Sequence, residues 1–416
     1  MPVGFIIAFS VIIYGGIIWV LCKKRELLDF SRWPANRTLL GIWVIWILSL
    51  VLLASLSFIN DMNIWVGSII ALLQKMYLTF GYVYLPVYSE VLTALAWPFI
   101  FTGIAGITSY SFLMFLIHFV VIFAYVYCAK LMSELIPSQS EIAPLGIVLA
   151  PVTILYTIMG INHIVMFLLL LASLVLIKKE RFIWGGFFGF LSCYKFMSAP
   201  TLIVLSIIIL WRYGSKKAAL FVLGGVISLV PSLIYYCYDP GTLLMILERK
   251  ANIGGHSKDI DIFSIFYLLS KYKPGFSNWY IGKNVWFYLS MMGVPLSLLL
   301  YRRKRLNIFQ SLALSYGFVA VFALEPLRLE PLVGLLWLDA VYRKDLRVQV
   351  GIFTILSIHA IAWYDSGRIL NLYADAPWFL WQGKGLCLGL AVIIVLLMVV
   401  FEKDKRDIMF DDTLKA

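Results

Sequence analysis

Residues 161–211 read INHIVMFLLLLASLVLIKKERFIWGGFFGFLSCYKFMSAPTLIVLSIIILW. The apolar run Ile161 to Ile177 has nearly the length of a bilayer-spanning helix and stops at the basic turn Lys178-Lys179-Glu180-Arg181. A second run, Phe182 to Trp211, ends at Arg212, Lys216 and Lys217. Short basic loops mark the cytoplasmic ends of spans, so both flanks of this second run belong on one side. About thirty residues must then go in and come back, which predicts two short helices with Lys195 near their outer tip. The interruption Tyr194-Lys195-Phe196-Met197-Ser198-Ala199-Pro200 supplies that tip. Lipid tolerates such broken backbone only where it is buried in protein or faces a cavity.

The same pattern of apolar runs and basic turns recurs along all 416 residues, 62% of which are hydrophobic and 13% charged, with mean hydropathy +0.93. This composition predicts an all-α, polytopic integral membrane protein. A net charge of +12 in a soluble chain would suggest nucleic acid. Here the cations cluster in short loops between spans, where they act as topology signals, and no nucleic-acid partner is expected. The five cysteines, Cys22, Cys128, Cys193, Cys237 and Cys387, lie in or beside apolar runs without metal-ligand spacing, so neither a disulfide framework nor a zinc site is indicated. Val3 to Leu21 has no basic region ahead of it and reads as a retained span.

Working outward, the basic groups at Lys23, Lys178, Arg212, Arg302, Arg343 and Lys403 are assigned to the cytoplasmic side, which makes the loops containing Asp61, Arg249 and Arg328 external. The resulting count is roughly twelve spans in a single membrane-embedded domain over residues 1–416. The count between 83 and 177 is open, because four full crossings there would put Lys178 outside; Ile142 to Met159, with Pro144 and Pro151, is the segment least suited to cross. Later runs are Ala218 to Cys237, Val285 to Tyr301, Ile308 to Leu324, Leu332 to Tyr342, Val350 to Tyr364 and Leu386 to Phe401. Two external loops carry most of the polar chemistry: 59–82, with an interfacial helix, and 238–283, where Phe263 to Leu269 suggests a second one.

In the first of these loops, FINDMNIWVGSIIALLQKMYLTFGYVYLPVYSE (58–90), Asp61 stands at the outer end of a span. Ile64, Ile69, Leu72, Leu73, Met76 and Leu78 recur behind it at roughly helical spacing, and Tyr82, Tyr84 and Tyr88 follow. A carboxylate roofed by an interfacial helix suits a base facing a substrate at headgroup level; the same residues also read as a solvated acid beside an amphipathic linker. The ionisable groups assigned to the outer side are Asp61, Glu90, His163, Lys195, Arg249, His256, Glu325, Arg328 and Glu330. Cations beside carboxylates at one membrane face suit a phosphate leaving group with an acid or base nearby, although a single Lys or His at a helix end also serves by snorkelling.

Several motifs add a resemblance. Met159-Gly160-Ile161-Asn162-His163-Ile164-Val165, a long apolar run, the basic turn 178–181, Gly185-Gly186-Phe187-Phe188-Gly189, Lys195 and Pro200 follow one another as in the GT-C superfamily of polytopic glycosyltransferases. Within it the chain is most similar to mannosyltransferases that use a polyprenyl-phosphate sugar. Tyr82-Val83-Tyr84-Leu85-Pro86 resembles that group's Tyr-x-Pro approach to the next span, and Glu248-Arg249-Lys250 with Phe263-Ser264-Ile265-Phe266-Tyr267 resembles an Arg-then-Phe-Ser-x-Phe-Tyr pattern. The likeness covers roughly residues 58–267 and, in general form, the turn Glu325 to Pro331. The chain departs from the pattern in an additional early span, in Asn162-His163 where Gln-x-Asp is usual, and in Met62 where a second acid follows the first.

The resemblance implies transfer of one sugar, mannose in the nearest group, from a polyprenyl-phosphate donor to a lipid- or protein-linked acceptor on the non-cytoplasmic face, with inversion. It implies Asp61 as catalytic base, Lys195, Arg249 and Arg328 as ligands of the donor phosphate, and Tyr82, Tyr84, Asn162, His163 and Glu325 as residues of the acceptor or sugar site. No metal site is indicated, and no cofactor is assigned. The chain has no evident Gly-rich nucleotide loop, which agrees with a lipid donor. Two other classes stay open: a secondary transporter or flippase, which also uses broken helices, and a subunit that kept the fold without activity.

Overall fold

The computed structural model describes residues 163–194, 198–238, 260, 264–323, 329–343, 345–364 and 383–401, with scattered positions between 124 and 136. Among the described residues every element is helical. In chain order they are α1 His163–Lys178, α2 Phe182–Leu191, α3 Ala199–Tyr238, α4 Tyr267–Tyr272, α5 Phe276–Tyr280 and α6 Val285–Met291. There follow α7 Gly293–Arg302, α8 Ile308–Phe322, α9 Glu330–Arg343, α10 Leu346–Tyr364 and α11 Lys384–Val400. Two stretches, Ala199–Val230 and Val285–Arg302, are long and apolar enough to cross a membrane.

The first of these stretches does not run straight. Gly214 has φ 82 and ψ 174, a conformation open to glycine because it has no Cβ. Tyr213 before it packs edge-on against Phe182 (ring centroids 4.8 Å apart), and the Lys217 ammonium after it lies 4.8 Å from the centre of the same ring. A Cβ on Gly189 would also meet both Leu202 and Phe221, one before Gly214 in sequence and the other after it. The chain therefore reverses at Gly214, and α3 is a hairpin of limbs 199–213 and 215–238. The 199–213 limb and α2 form the short in-and-out pair expected around residue 195. The 199–213 limb is about 22 Å long and α2 about 15 Å, each less than a bilayer core of about 30 Å.

Glycines set how closely this unit packs. A Cβ on Gly186 would strike the carbonyl of Phe221, and one on Gly224 the carbonyl of Ile183, so α2 and the 215–238 limb touch backbone to backbone. Gly185 faces the other way, onto α1, where Ser173 Oγ donates to its carbonyl at 2.7 Å. Small residues at helix contacts let backbones approach closely enough for dispersion and carbonyl bonding to hold them. Gly186→Ala is expected to destabilise by about 1–3 kcal/mol, because the colliding atoms are main chain and cannot rotate away. A lowered thermal midpoint of the purified protein is the readout; an unchanged one would mean the helices stand further apart.

The basic turns gather at one end of the bundle. Lys178 Nζ donates to the carbonyls of Glu134 and Leu135, both at 3.1 Å; Lys217 pairs with Glu180 at 2.9 Å; Arg212 Nε donates to the Tyr301 hydroxyl at 3.0 Å. Helices α1 and α7 stop there in the same way. Arg181 N–H reaches Leu176 O and Glu180 N–H reaches Ile177 O, while Arg305 N–H reaches Leu300 O and Lys304 N–H reaches Tyr301 O, at 2.8–2.9 Å. This is the Schellman stop, whose left-handed residue is usually glycine. Here it is Glu180 (φ 57) and Lys304 (φ 55). Lys304→Gly should therefore stabilise the chain by about 1 kcal/mol, the left-handed penalty relieved being larger than the added chain entropy. A fall in thermal midpoint would contradict it.

At the same end a polar cluster is sealed inside the bundle. Asn307 caps α8 and forms a reciprocal capping box with Gln310. Its Nδ2 donates to Asp339 Oδ1 at 2.6 Å, Gln310 Nε2 donates to Oδ2 at 2.8 Å, and Arg343 Nε donates to Oδ1 at 2.8 Å. The Asp339 and Arg343 side chains are 4% and 3% exposed. One carboxylate thus ties the start of α8 to the end of α9 through charge-assisted bonds.

Candidate functional site

The end away from the basic turns is built from helices that begin or end in the polar segments of the sequence. Tyr280 on α5 donates its hydroxyl to the carbonyl of Phe322, the last residue of α8, at 2.6 Å. Burial pushes the Tyr280 phenol up from its ordinary range, which keeps it a donor. Phe266 packs on both Tyr280 and Phe322, with ring centroids 4.9 and 6.0 Å away. Ile265 meets the face of α11 at Gly389. The segment 264–280 is therefore an aromatic roof over the ends of α8 and α11, with Tyr272 and Trp279 on its exposed side. The expected interfacial helix of this loop falls a few residues later than Phe263 to Leu269, as the short pieces α4 and α5.

Beneath the roof lies the start of α3. Thr201, near the start of α3, is buried, and its Oγ1 accepts from Ser315 Oγ of α8 at 3.4 Å. Ser315 lies seven residues before the end of α8, about 10 Å deeper along the helix axis. Ser198, three residues before Thr201, thus lies below the end of α8. It has a buried hydroxyl for which no hydrogen-bond partner is present among the described residues. Ser192 Oγ turns back onto the carbonyl of Gly189 at 2.6 Å.

Two more polar residues share this level. The Phe167 ring fills the space where a Cβ on Gly334 would stand, and α1 and α9 both run toward the basic end. His163 and Glu330 each lie four residues before that contact, so the first turns of α1 and α9 sit side by side. Both carboxylate oxygens of Glu330 are buried. A carboxylate in a first turn is favoured by the positive end of the helix dipole.

Of the residues expected to carry chemistry, Asp61, Tyr82, Tyr84, Asn162, Lys195, Arg249, Glu325 and Arg328 lie outside the described residues, as do Cys22, loop 59–82 and the start of loop 238–283. His163 is placed by its backbone as the first residue of α1. Lys195 belongs to the three-residue link between Tyr194 and Ser198, and Glu325 and Arg328 belong to the link between α8 and α9. Both links join elements whose ends are described here. Sequence reasoning grouped Glu330 with the outer-side ionisable residues but selected Glu325 as the site residue, and it gave no weight to Thr201, Ser198 or Ser315, hydroxyls that look like ordinary span residues. Among the described residues no group of three or more His, Cys, Asp or Glu side chains converges as a metal site requires. Cys128, Cys193, Cys237 and Cys387 are free thiols. Set against protein-family models, curated proteins and solved structures, the chain matches none.

Proposed function

We propose that this chain is a polytopic membrane glycosyltransferase of GT-C type that moves a sugar, mannose by resemblance, from a polyprenyl-phosphate donor to a lipid- or protein-linked acceptor. In this reading roughly twelve spans cross the bilayer, the basic end is cytoplasmic, and the roofed end is the working face. The observation that carries the reading is the antiparallel pair of α2 and limb 199–213, each too short to span, joined by the link that carries Lys195. Within lipid a chain reversal between two such short helices requires protein or a polar cavity around it.

The chemistry balances without a cofactor. Asp61 takes the proton of the acceptor hydroxyl, whose oxygen forms the new bond to the anomeric carbon. The bond from that carbon to the phosphate oxygen breaks on the opposite face, and polyprenyl phosphate leaves with the electron pair. Lys195 and Arg249, with Arg328, hold the donor phosphate and neutralise the charge that develops on it. Tyr82, Tyr84, Asn162, His163 and Glu325 shape the sugar and acceptor site.

A broken helix pair is also a hallmark of secondary transporters and flippases, and that observation keeps a second reading alongside the first. Purified protein incubated with polyprenyl-phosphate mannose and a set of lipid and peptide acceptors separates the two. Mannose covalently attached to an acceptor supports transfer; intact donor recovered after prolonged incubation with every acceptor supports transport.

A further inference from the structure

The link between α8 and α9 is anchored at both ends. Ala323, buried, closes α8 by giving its N–H to the carbonyl of Val319 at 2.9 Å. Leu329, also buried, accepts from the N–H of Val333 at 2.8 Å in the first turn of α9. Five residues join these two points, Leu324-Glu325-Pro326-Leu327-Arg328. Chain geometry divides them, because Glu325 is two residues from Ala323, within about 7 Å of it by chain length, whereas Arg328 is bonded directly to Leu329. The place of Glu325 is thus set from the α8 end and that of Arg328 from the α9 end.

At the α8 end the last carbonyl takes its partner from elsewhere in the chain. A helix leaves its last four carbonyls without donors from its own turns. That of Phe322 accepts the Tyr280 hydroxyl at 2.6 Å, from a residue 42 positions away in sequence. The Tyr280 ring is fully buried, stacked on Phe276 with 16° between the planes and packed against Phe266, which stacks in turn on Phe322. A phenol gripped by two rings is a fixed point for the helix end that it holds.

We infer that Tyr280 is a positioning residue: by holding the carbonyl of Phe322 it sets the point from which the chain carries Glu325 to the sugar of the donor. The roof then takes part in sugar recognition without touching the sugar. This rests on the transfer reading, in which Glu325 serves the sugar site and Arg328 the donor phosphate. Since the two residues hang from opposite ends of the link, loss of the Tyr280 hydroxyl should loosen recognition of the sugar and spare that of the phosphate.

Titration calorimetry of the full-length protein in detergent micelles, with polyprenyl-phosphate mannose and with plain polyprenyl phosphate, tests it. The wild type should prefer the mannosylated lipid. Tyr280→Phe, which keeps the ring and removes one hydroxyl, should lower that preference about fivefold and leave the affinity for plain polyprenyl phosphate unchanged. Glu325→Gln should lower the preference as well, and Tyr280→Phe added to it should cost nothing more, as expected of two residues acting through one contact. Additive losses in the double variant, equal weakening of both lipids, or an undiminished preference in Tyr280→Phe would overturn the inference. If Tyr280→Phe does not fold, Phe266→Leu, which slackens the ring packing on Tyr280 and Phe322, should show the same selective loss. A wild type that binds neither lipid, or both equally, refutes the transfer reading of the site and the inference with it, whereas a preference that Tyr280→Phe leaves intact refutes the inference alone.

Discussion

Asp61→Asn should fold, bind the polyprenyl-phosphate donor, and lose between about 10² and 10⁴ in turnover. The amide keeps the shape of the carboxylate but has neither the charge nor the basicity to take a proton from the attacking hydroxyl. Asp61→Glu should fail nearly as badly, since a side chain longer by about 1 Å misplaces the oxygen relative to the bound acceptor. Donor affinity should hardly change in either variant, because the phosphate is assigned to Lys195, Arg249 and Arg328. Turnover and donor dependence measured together check this. If Asp61→Asn turns over near the wild-type rate while His163→Ala or Glu325→Gln is inactive, the base lies elsewhere on the same face.

At the basic end, Asp339→Ala is expected to cost about 3–5 kcal/mol, a large part of the total stability of an ordinary domain. The carboxylate accepts from Asn307, Gln310 and Arg343 within a cluster only a few per cent exposed. Removing it strips the counter-charge from the Arg343 guanidinium and unties the start of α8 from the end of α9. Replacing both charges with apolar groups, Asp339→Leu with Arg343→Leu, should recover most of the loss, since the greater cost is a buried charge left behind and not the absence of the pair. Thermal midpoints of the two variants decide it. A single variant as stable as wild type would show that water reaches the cluster.

Helix positions in the described part were legible because apolar runs here are bounded by basic turns, and a helix that must satisfy its backbone internally has little freedom about where to end. The runs Ile308 to Leu324, Leu332 to Tyr342 and Leu386 to Phe401 correspond to α8, α9 and α11 within a few residues. The reversal inside Phe182 to Trp211 was legible from its length and its two basic flanks. Val285 to Tyr301 corresponds to the stretch Val285–Arg302, in which α6 and α7 are divided only at Met292, near Pro295, which has no N–H to offer the carbonyl of Met291.

Side-chain partnerships were not legible. Asn307 and Asp339 are 32 residues apart, and each alone looks like a solvated residue at a helix end. Gly185 and Gly186 are adjacent yet serve different neighbours, which only the angular position of each on α2 decides. In the candidate site, the polar groups assigned by motif lie largely outside the described residues, and the surroundings that are described, the aromatic roof and the start of α3 against Ser315, depend on contacts between segments more than 40 residues apart in sequence.

The most direct measurement reconstitutes the purified chain in liposomes holding polyprenyl-phosphate mannose labelled in the sugar, adds acceptor, and follows the label by chromatography of the extracted lipids and peptides. Label should leave the polyprenyl phosphate and appear in covalent, inverted linkage on the acceptor, with unlabelled polyprenyl phosphate formed in equal amount and Asp61→Asn slowed by about 10² or more. Label that changes leaflet while still bonded to its polyprenyl phosphate, at the same rate in wild type and Asp61→Asn, would contradict transfer and establish the chain as a lipid transporter.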